Sequence, residues 1–270
     1  MPLGRNRWGK TDVRLSKVFR GGGAGDFLDV TVQVLLQGDV AAAHTEGDNS
    51  GLLPTDTMRN TVYGLAQDHL TRDLEDFGEV LCRHFLAKPG VDQTTVTIHE
   101  NIWLRETVNG FVGGRSERRK ARVARGSEES TWAGIEGLMV LKTSGSSFEG
   151  FPKDEFTTLP ETSDRLLATS VTGDWNYSSL PSDTSSTWSL VRRILVDRFF
   201  NDWSASVQHQ GYLMGEAVLA AVPEISEISF RLPNQHHLPF DLTRFGLEWA
   251  GTVFHPVSEP YGDIYLTVTR

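Results

Sequence analysis

The 270-residue sequence contains one cysteine, Cys82, and no uninterrupted apolar run long enough to span a bilayer. A single thiol cannot form a disulfide within the chain, so we expect a reducing compartment. Basic residues are also scarce, because 26 Lys and Arg stand against 35 Asp and Glu and give a net charge of −9. General attraction to nucleic acid or to an anionic membrane is therefore not expected, and an anionic ligand would need basic side chains placed locally.

Targeting signals are missing as well. The N-terminus, MPLGRNRWGK, lacks the apolar core of a signal peptide, and the C-terminus carries no peroxisomal Ser-Lys-Leu tripeptide. We expect a cytoplasmic protein rather than a peroxisomal one.

Three motifs suggest phosphate, nucleic acid or metal binding, but each is better explained as structure. Residues 21–26, GGGAGD, join two predicted strands and lack the spacing of a P-loop or dinucleotide fingerprint, so we interpret them as a hairpin turn. The basic run from Arg115 to Arg125 contains no stacking aromatic residue and is interpreted as a solvated or subunit-contact strand. His236 and His237 point to opposite faces of a strand, with no Cys, Asp or Glu at a ligand-like offset, so we predict no metal. The sequence also lacks a signature for flavin or haem, so we predict no cofactor.

The apolar periodicity predicts an α+β protein in which a sheet, helices and more sheet occur twice. We place the boundary between the halves at residues 1–130 and 131–270, although no sequence identity relates them. The predicted strands are 7–19, 28–37, 94–108, 118–125, 135–143, 166–177, 225–232 and 252–269, and the predicted helices are 56–88, 184–203 and 206–221.

The segment of residues 138–165, LMVLKTSGSSFEGFPKDEFTTLPETSDR, is the most informative part of the chain. It carries Phe148, Leu159 and Arg165 on a predicted strand, long turn and second strand. An aromatic ring can stack on a flat guest, and a planar guanidinium offers two donors to one edge of that guest. The segment therefore predicts a site for a flat, anionic heterocycle.

This segment closely resembles the signature of the urate oxidases, or uricases, because many fixed positions agree at once. The resemblance implies the tunnelling fold, in which two such halves form one subunit and subunits assemble around a channel. It also implies a homotetramer with active sites at subunit interfaces, and the missing peroxisomal tripeptide favours a bacterial cytoplasmic enzyme. The matching positions are Lys142, Thr143, Ser146, Phe148, Phe151, Phe156, Leu159 and Arg165.

Further matches follow along the chain, although each has an ordinary structural explanation by itself. Asn234 and His236 are two residues apart, so a strand places them on one face. Thr55-Asp56 would otherwise be a helix N-cap and a first-turn acid, and a helix start also binds anions through its free N–H groups. Lys10 would otherwise be an exposed strand lysine. The last match, the tripeptide 206–208 (Ser-Val-Gln), opens a predicted helix.

The resemblance implies the oxidation of urate by O2 and water to 5-hydroxyisourate and hydrogen peroxide, with the electrons drawn from urate itself. In that scheme Arg165 and Gln208 clamp one edge of the ring. The implied substrate-binding residues are Thr55, Asp56, Phe148, Leu159, Arg165, Ser206, Val207, Gln208 and Asn234. The implied catalytic residues are Lys10, Thr55, Asn234 and His236.

Two alternatives remain open at this point. Another tunnelling-fold enzyme, such as a pterin-processing relative, would use a Glu anchor and often zinc, and the Arg165 and Gln208 pair without a Cys-His metal pattern argues against it. A non-catalytic relative that keeps the purine pocket is the second alternative, and the four intact catalytic residues argue against that one.

Overall fold

A computed structural model describes residues 3–20 and 25–270. The predicted turn at residues 21–26 falls largely outside the described part, because residues 21–24 are not covered. The elements are β1 Trp8–Phe19, β2 Asp26–Gln37, α1 Ala41–Thr45, α2 Thr55–His69, α3 Leu74–Leu86, β3 Gln93–Arg105, β4 Phe111–Gly126, β5 Ser130–Lys142, β6 Leu167–Tyr177, α4 Thr184–Asn201, α5 Val207–Ala221, β7 Ile225–Pro239 and β8 Phe254–Thr269, with a 3-10 turn at Thr243–Phe245.

Two compact units divide the chain. The first extends to Gly134 and includes Trp175–Ser189, and the second comprises Ile135–Asp174 and Leu190–Arg270. The predicted boundary between residues 130 and 131 stays a prediction.

The first unit is an antiparallel sheet covered on one face by helices. Its strands follow the order β1-β2-β3-β4, each antiparallel to the next. Alternate residues of β2, including Val30, Val32 and Val34, are fully buried and pack with apolar residues of α2 and α3 in one core. The period-two alternation of a strand produces this buried face, because successive side chains point to opposite sides.

The helical stretch predicted over residues 56–88 contains two helices, α2 and α3, and the sequence did not locate the break between them. At the break, the hydroxyl of Thr71 accepts a hydrogen bond from the N–H of Asp73 at 3.2 Å. Arg72 turns toward the sheet and forms ion pairs with Asp26 at 2.5 Å and Glu100 at 3.3 Å. These contacts join residues far apart in sequence, so helical periodicity gave no sign of the break.

The second unit repeats the arrangement, with strands in the order β5-β6-β7-β8 and α5 packed on β7 and β8. Two glycines let α5 approach the sheet closely. A Cβ added at Gly211 would lie 2.8 Å from Leu232 Cδ1, and one added at Gly215 would lie 2.6 Å from Val268 Cγ2. Because α5 begins at Val207, this packing fixes the helix whose N-cap and first turn carry three predicted site residues, Ser206, Val207 and Gln208.

Residues 143–166 connect β5 to β6. Phe148, Leu159 and Arg165 were expected on a strand, a long turn and a second strand, but all three lie within this connection, between the predicted strands 135–143 and 166–177. Isolated bridges order it, Phe148 with Thr162 and Ser146 with Ser204.

Candidate active site

Phe148 and Arg165 are brought together by the backbone of the β5–β6 connection. The N–H of Phe148 donates to the carbonyl of Thr162 at 2.8 Å, and the N–H of Arg165 donates to the carbonyl of Ser146 at 2.7 Å. The guanidinium carbon of Arg165 consequently lies 5.3 Å from the centroid of the Phe148 ring. Phe151 stacks on Phe148 with centroids 4.9 Å apart and ring planes 17° apart.

The guanidinium of Arg165 is half-buried and incompletely bonded. Its Nε is buried and has no hydrogen-bond partner among residues 3–20 and 25–270. Burial lowers the pKa of Arg165, because it penalises the charged form. A buried donor without a partner costs free energy, so a guest that accepts a hydrogen bond from it is favoured. An anion satisfies both the donor and the charge.

The first turn of α5 presents backbone donors. Ser206 caps the helix, and its hydroxyl accepts a hydrogen bond from the N–H of His209 at 3.0 Å. The N–H groups of Val207 and Gln208 have no carbonyl four residues back within the helix, as at every helix start. Such groups bind anionic or carbonyl oxygens well. Val207 is buried, whereas the side chain of Gln208 is exposed.

Ser204 links this helix start to the segment before Phe148. Its N–H donates to the carbonyl of Gly145 at 3.1 Å, and its own carbonyl accepts from the N–H of Ser147 at 2.9 Å. Ser204 is fully buried. These hydrogen bonds therefore join the β5–β6 connection, which carries Phe148 and Arg165, to the segment that leads into α5 in the second unit.

Asn234 and His236 are neighbours on β7, as the alternation of a strand predicts. The amide nitrogen of Asn234 lies 3.5 Å from Nδ1 of His236, and both side chains are half-buried. The register shifts here, since Asn234 pairs with Gly262 and His236 with Val257. The extra residues belong to β8, so β7 keeps both side chains on one face.

Leu159 lies in the β5–β6 connection and is 55% exposed. No contact ties it to Phe148 or Arg165 among the interactions of the described residues. Its predicted place beside the ligand stays a prediction, because a leucine that exposed needs a guest or a neighbour to bury it.

The remaining predicted residues lie in the first unit. Lys10 is half-buried on β1, immediately before a bulge that shifts the register between Lys10 and Val13. The alternative explanation of Thr55 as an N-cap is wrong, because the capping position is Pro54 and Thr55 is the first residue of α2. Asp56 follows it and forms an ion pair with Arg59 at 2.7 Å.

Trp8 connects these two regions, because its indole N–H donates to the carbonyl of Leu53 at 3.1 Å. Trp8 and Lys10 share one face of β1 by strand alternation. Leu53 lies just before the start of α2. The described contacts thus anchor the strand of Lys10 to the segment that leads into Thr55.

Comparisons with known proteins decide the family. The family model described as Uricase matches residues 6–133 and again 131–265. The chain belongs to the uricase family. A uricase of Arthrobacter globiformis is 41% identical over 274 residues, covering 99% of this chain and 90% of that protein. A uricase of Dictyostelium discoideum is 37% identical over 276 residues, covering 98% of this chain and 96% of that protein.

The crystal structure of uricase from Arthrobacter globiformis confirms the predicted fold. It superimposes with a TM-score of 0.96 at 40% identity and covers 100% of this chain and 95% of that one. The α+β class and the tunnelling fold of the uricases therefore hold for this chain. No helix in the described part is both long and apolar enough to cross a membrane.

Two polar residues beneath the site escaped the sequence reasoning. Lys142 was noted only as a position of the uricase signature, and Gln210 was not noted at all. Both are buried, and they bond each other at 2.8 Å. One signal was present: Gln210 interrupts the apolar face of α5 between Val207 and Met214, and a buried amide there needs partners.

Proposed function

We propose that this chain is a urate oxidase. Urate, O2 and water give 5-hydroxyisourate and hydrogen peroxide, so urate loses two electrons and O2 gains two. The observation that carries the proposal is the half-buried guanidinium of Arg165, which lies over Phe148. Its Nε has no hydrogen-bond partner among the described residues. A cation beside a half-buried aromatic ring matches a flat anion, and membership of the uricase family supports urate as that anion.

In this proposal urate binds in the second unit, between the β5–β6 connection and the first turn of α5. Phe148 stacks on the ring, and Arg165 and the carboxamide of Gln208 clamp one edge of it. The N–H of Val207, behind the Ser206 cap, donates to another polar edge. The other residues assigned to binding are Leu159, Asn234, Thr55 and the backbone of Asp56.

The protein ionises and orients urate, since the substrate is itself the electron donor. Asn234 and Thr55 hold O2 first and the attacking water afterwards. Lys10, Thr55 and His236 move the proton, because an amine, a hydroxyl and an imidazole in sequence can relay one. No residue set for a flavin, haem or metal is part of this mechanism.

One assay tests the activity. Metal-stripped protein is mixed with urate, and the loss of urate ultraviolet absorbance is followed together with peroxide release. We expect one peroxide for each urate consumed. Xanthine binding without urate consumption would indicate a non-catalytic relative, and activity that returns only with added zinc would indicate a metal-dependent relative.

We further propose that each chain consists of two halves, residues 1–130 and 131–270, and that four chains form a homotetramer in the bacterial cytoplasm. Each active site is shared between two chains. Lys10, Thr55 and Asp56 lie in the first half and the remaining site residues in the second, and an isologous pair of chains would form two equivalent sites. A light-scattering mass tests the tetramer.

Complementation tests the shared site. Inactive Thr55→Ala chains are mixed with inactive Arg165→Ala chains under conditions that allow subunit exchange. Activity should reappear, because some interfaces then combine an intact Thr55 with an intact Arg165. If exchange is verified by mixed labels and the mixture stays inactive, sites are not shared.

A further inference from the structure

Lys142 is a buried cation that the proposed mechanism does not use. It is the last residue of β5 and only 6% exposed. Its ammonium donates to the carbonyl of Asp202 at 2.7 Å and to Oε1 of Gln210 at 2.8 Å. The same ammonium lies 5.5 Å from the centroid of the Phe199 ring.

Gln210 extends this contact to α4. It is 1% exposed, and its Nε2 donates to the carbonyl of Arg198 at 3.0 Å. One buried chain of hydrogen bonds therefore connects the end of β5 to the first turn of α5 and to the last turn of α4. The α4–α5 turn between them contains Ser204 and Ser206.

Burying an ammonium costs more free energy than burying an apolar side chain of the same length. Burial lowers the pKa of Lys142, and the nearby carboxylates of Asp202 and Asp164 oppose that shift. An apolar residue at position 142 would fill the space, but it could not fix the direction of two acceptors. The directional contact is what the lysine adds.

We propose that Lys142 is a positioning residue. It fastens the α4–α5 turn to the end of β5, and so it sets the distance between the Phe148–Arg165 pair and the donors of Val207 and Gln208. This role rests on the proposed function, because these two groups form opposite sides of the proposed urate site. Backbone bonds of Ser204 join the same segments before α5 begins, and the Lys142–Gln210 bond adds a side-chain link from the end of β5 to the first turn of α5.

The test substitutes Lys142→Met, which keeps the length of the side chain and removes the ammonium. Lys17→Met is the matched control, because the Lys17 ammonium also donates to main-chain carbonyls, those of Ala66 at 2.9 Å and Leu70 at 2.7 Å. These carbonyls lie at the end of α2 remote from Thr55. Both variants lose ammonium–carbonyl bonds, so both should show a lower Tm.

Only Lys142→Met should change ligand binding. We expect it to weaken the binding of xanthine, an unreactive purine anion, and to lower kcat/KM for urate, each by about ten-fold or more, because small misplacements of a clamp are costly. Lys17→Met should keep the wild-type xanthine Kd. Wild-type values for both quantities in Lys142→Met would overturn the role.

A double variant separates positioning from stability. Lys142→Met combined with Gln210→Met removes the buried amide oxygen that Lys142→Met leaves without a donor, and it should recover much of the Tm while xanthine binding stays weak. Recovery of affinity together with Tm would mean that Lys142 acts through stability alone, and the role would be wrong. If Lys142→Met does not fold, Gln210→Met replaces it, because this variant removes the side-chain acceptor of the Lys142 ammonium, and a wild-type xanthine Kd in it would overturn the role.

The wild-type protein distinguishes the two proposals. If it neither binds xanthine nor consumes urate, the proposed function fails, and the positioning role fails with it. If it does both and the Lys142 and Gln210 variants match it, only the positioning role fails.

Discussion

Arg165→Lys isolates the contribution of a planar guanidinium. Lysine keeps the positive charge but replaces a fork of donors with one ammonium on a flexible chain. In the structure the Arg165 guanidinium carbon lies 5.3 Å from the Phe148 centroid, and Nε is buried without a described partner. The substitution should therefore remove one charged hydrogen bond to the guest and leave the overall charge of the site unchanged.

A hydrogen bond to a charged group contributes about 1.5 to 3 kcal/mol, which corresponds to roughly ten- to a hundred-fold in Kd. We expect xanthine binding, measured by calorimetry, to weaken by that factor, and KM for urate to rise with it. Because the loss is one of binding common to substrate and transition state, kcat should change less than KM.

Arg244→Lys is the matched control. Arg244 also stacks on an aromatic ring, with its guanidinium carbon 5.5 Å from the Phe240 centroid, but it is exposed and has no assigned role in the site. It should bind xanthine as the wild type does. Unchanged binding in Arg165→Lys would remove Arg165 from the site, and equal losses in both variants would mean that the effect is not specific to the pocket.

Three further outcomes are expected. Chelators should leave turnover intact, since no ligand set belongs to the proposed mechanism; a loss that zinc, copper or iron restores would contradict it. Cys82 should resist thiol reagents in the folded protein and react after denaturation, because burial raises its pKa to about 12 and thiolate is the reactive form; rapid labelling of native protein would refute this. Burial raises the pKa of Glu100, although the nearby charges of Arg119 and Arg72 lower it. The folded state therefore binds this proton more tightly than the unfolded chain does. The stability gained from the proton is lost as the pH rises through the folded-state pKa. Accordingly, the Tm of wild type relative to Glu100→Gln should fall as the pH rises above the ordinary range of a glutamate carboxyl, and a rising difference would reverse the sign of the argument.

Local periodicity predicted most of the elements, and long-range contacts explain the failures. The pairing of β1 with β2 and the helices α4 and α5 could be read from apolar spacing alone. The break between α2 and α3 could not, because Arg72 reaches Asp26 and Glu100, which are distant in sequence. The connection 143–166 is held by single bridges rather than a ladder, so its residues carry no period that a sequence would reveal.

The site residues were predicted mainly from family resemblance, whereas the fold was predicted from periodicity. The identities of the site residues came from resemblance to the uricases, whereas the proximity of Asn234 to His236 followed from strand alternation. The pairing of Phe148 with Arg165 depends on a connection without regular structure. Lys142 and Gln210 bond across 68 positions of sequence, so only the structure could join them.

The packing of α5 explains how these separate groups can act as one site within the second unit. Its first turn carries Val207 and Gln208, and one turn later Gly211 lies against Leu232 so closely that an added Cβ would stand 2.8 Å from Leu232 Cδ1. Asn234 is two residues beyond Leu232 on β7. A shift of α5 along or away from the sheet would therefore move the Val207–Gln208 donors relative to Asn234 as well as relative to Arg165. A helix and a paired strand are stiff, so the close Gly211 contact on one side and the Lys142 bond on the other constrain the start of α5 from two directions. A bound substrate can be oriented only by groups that are held in place in this way.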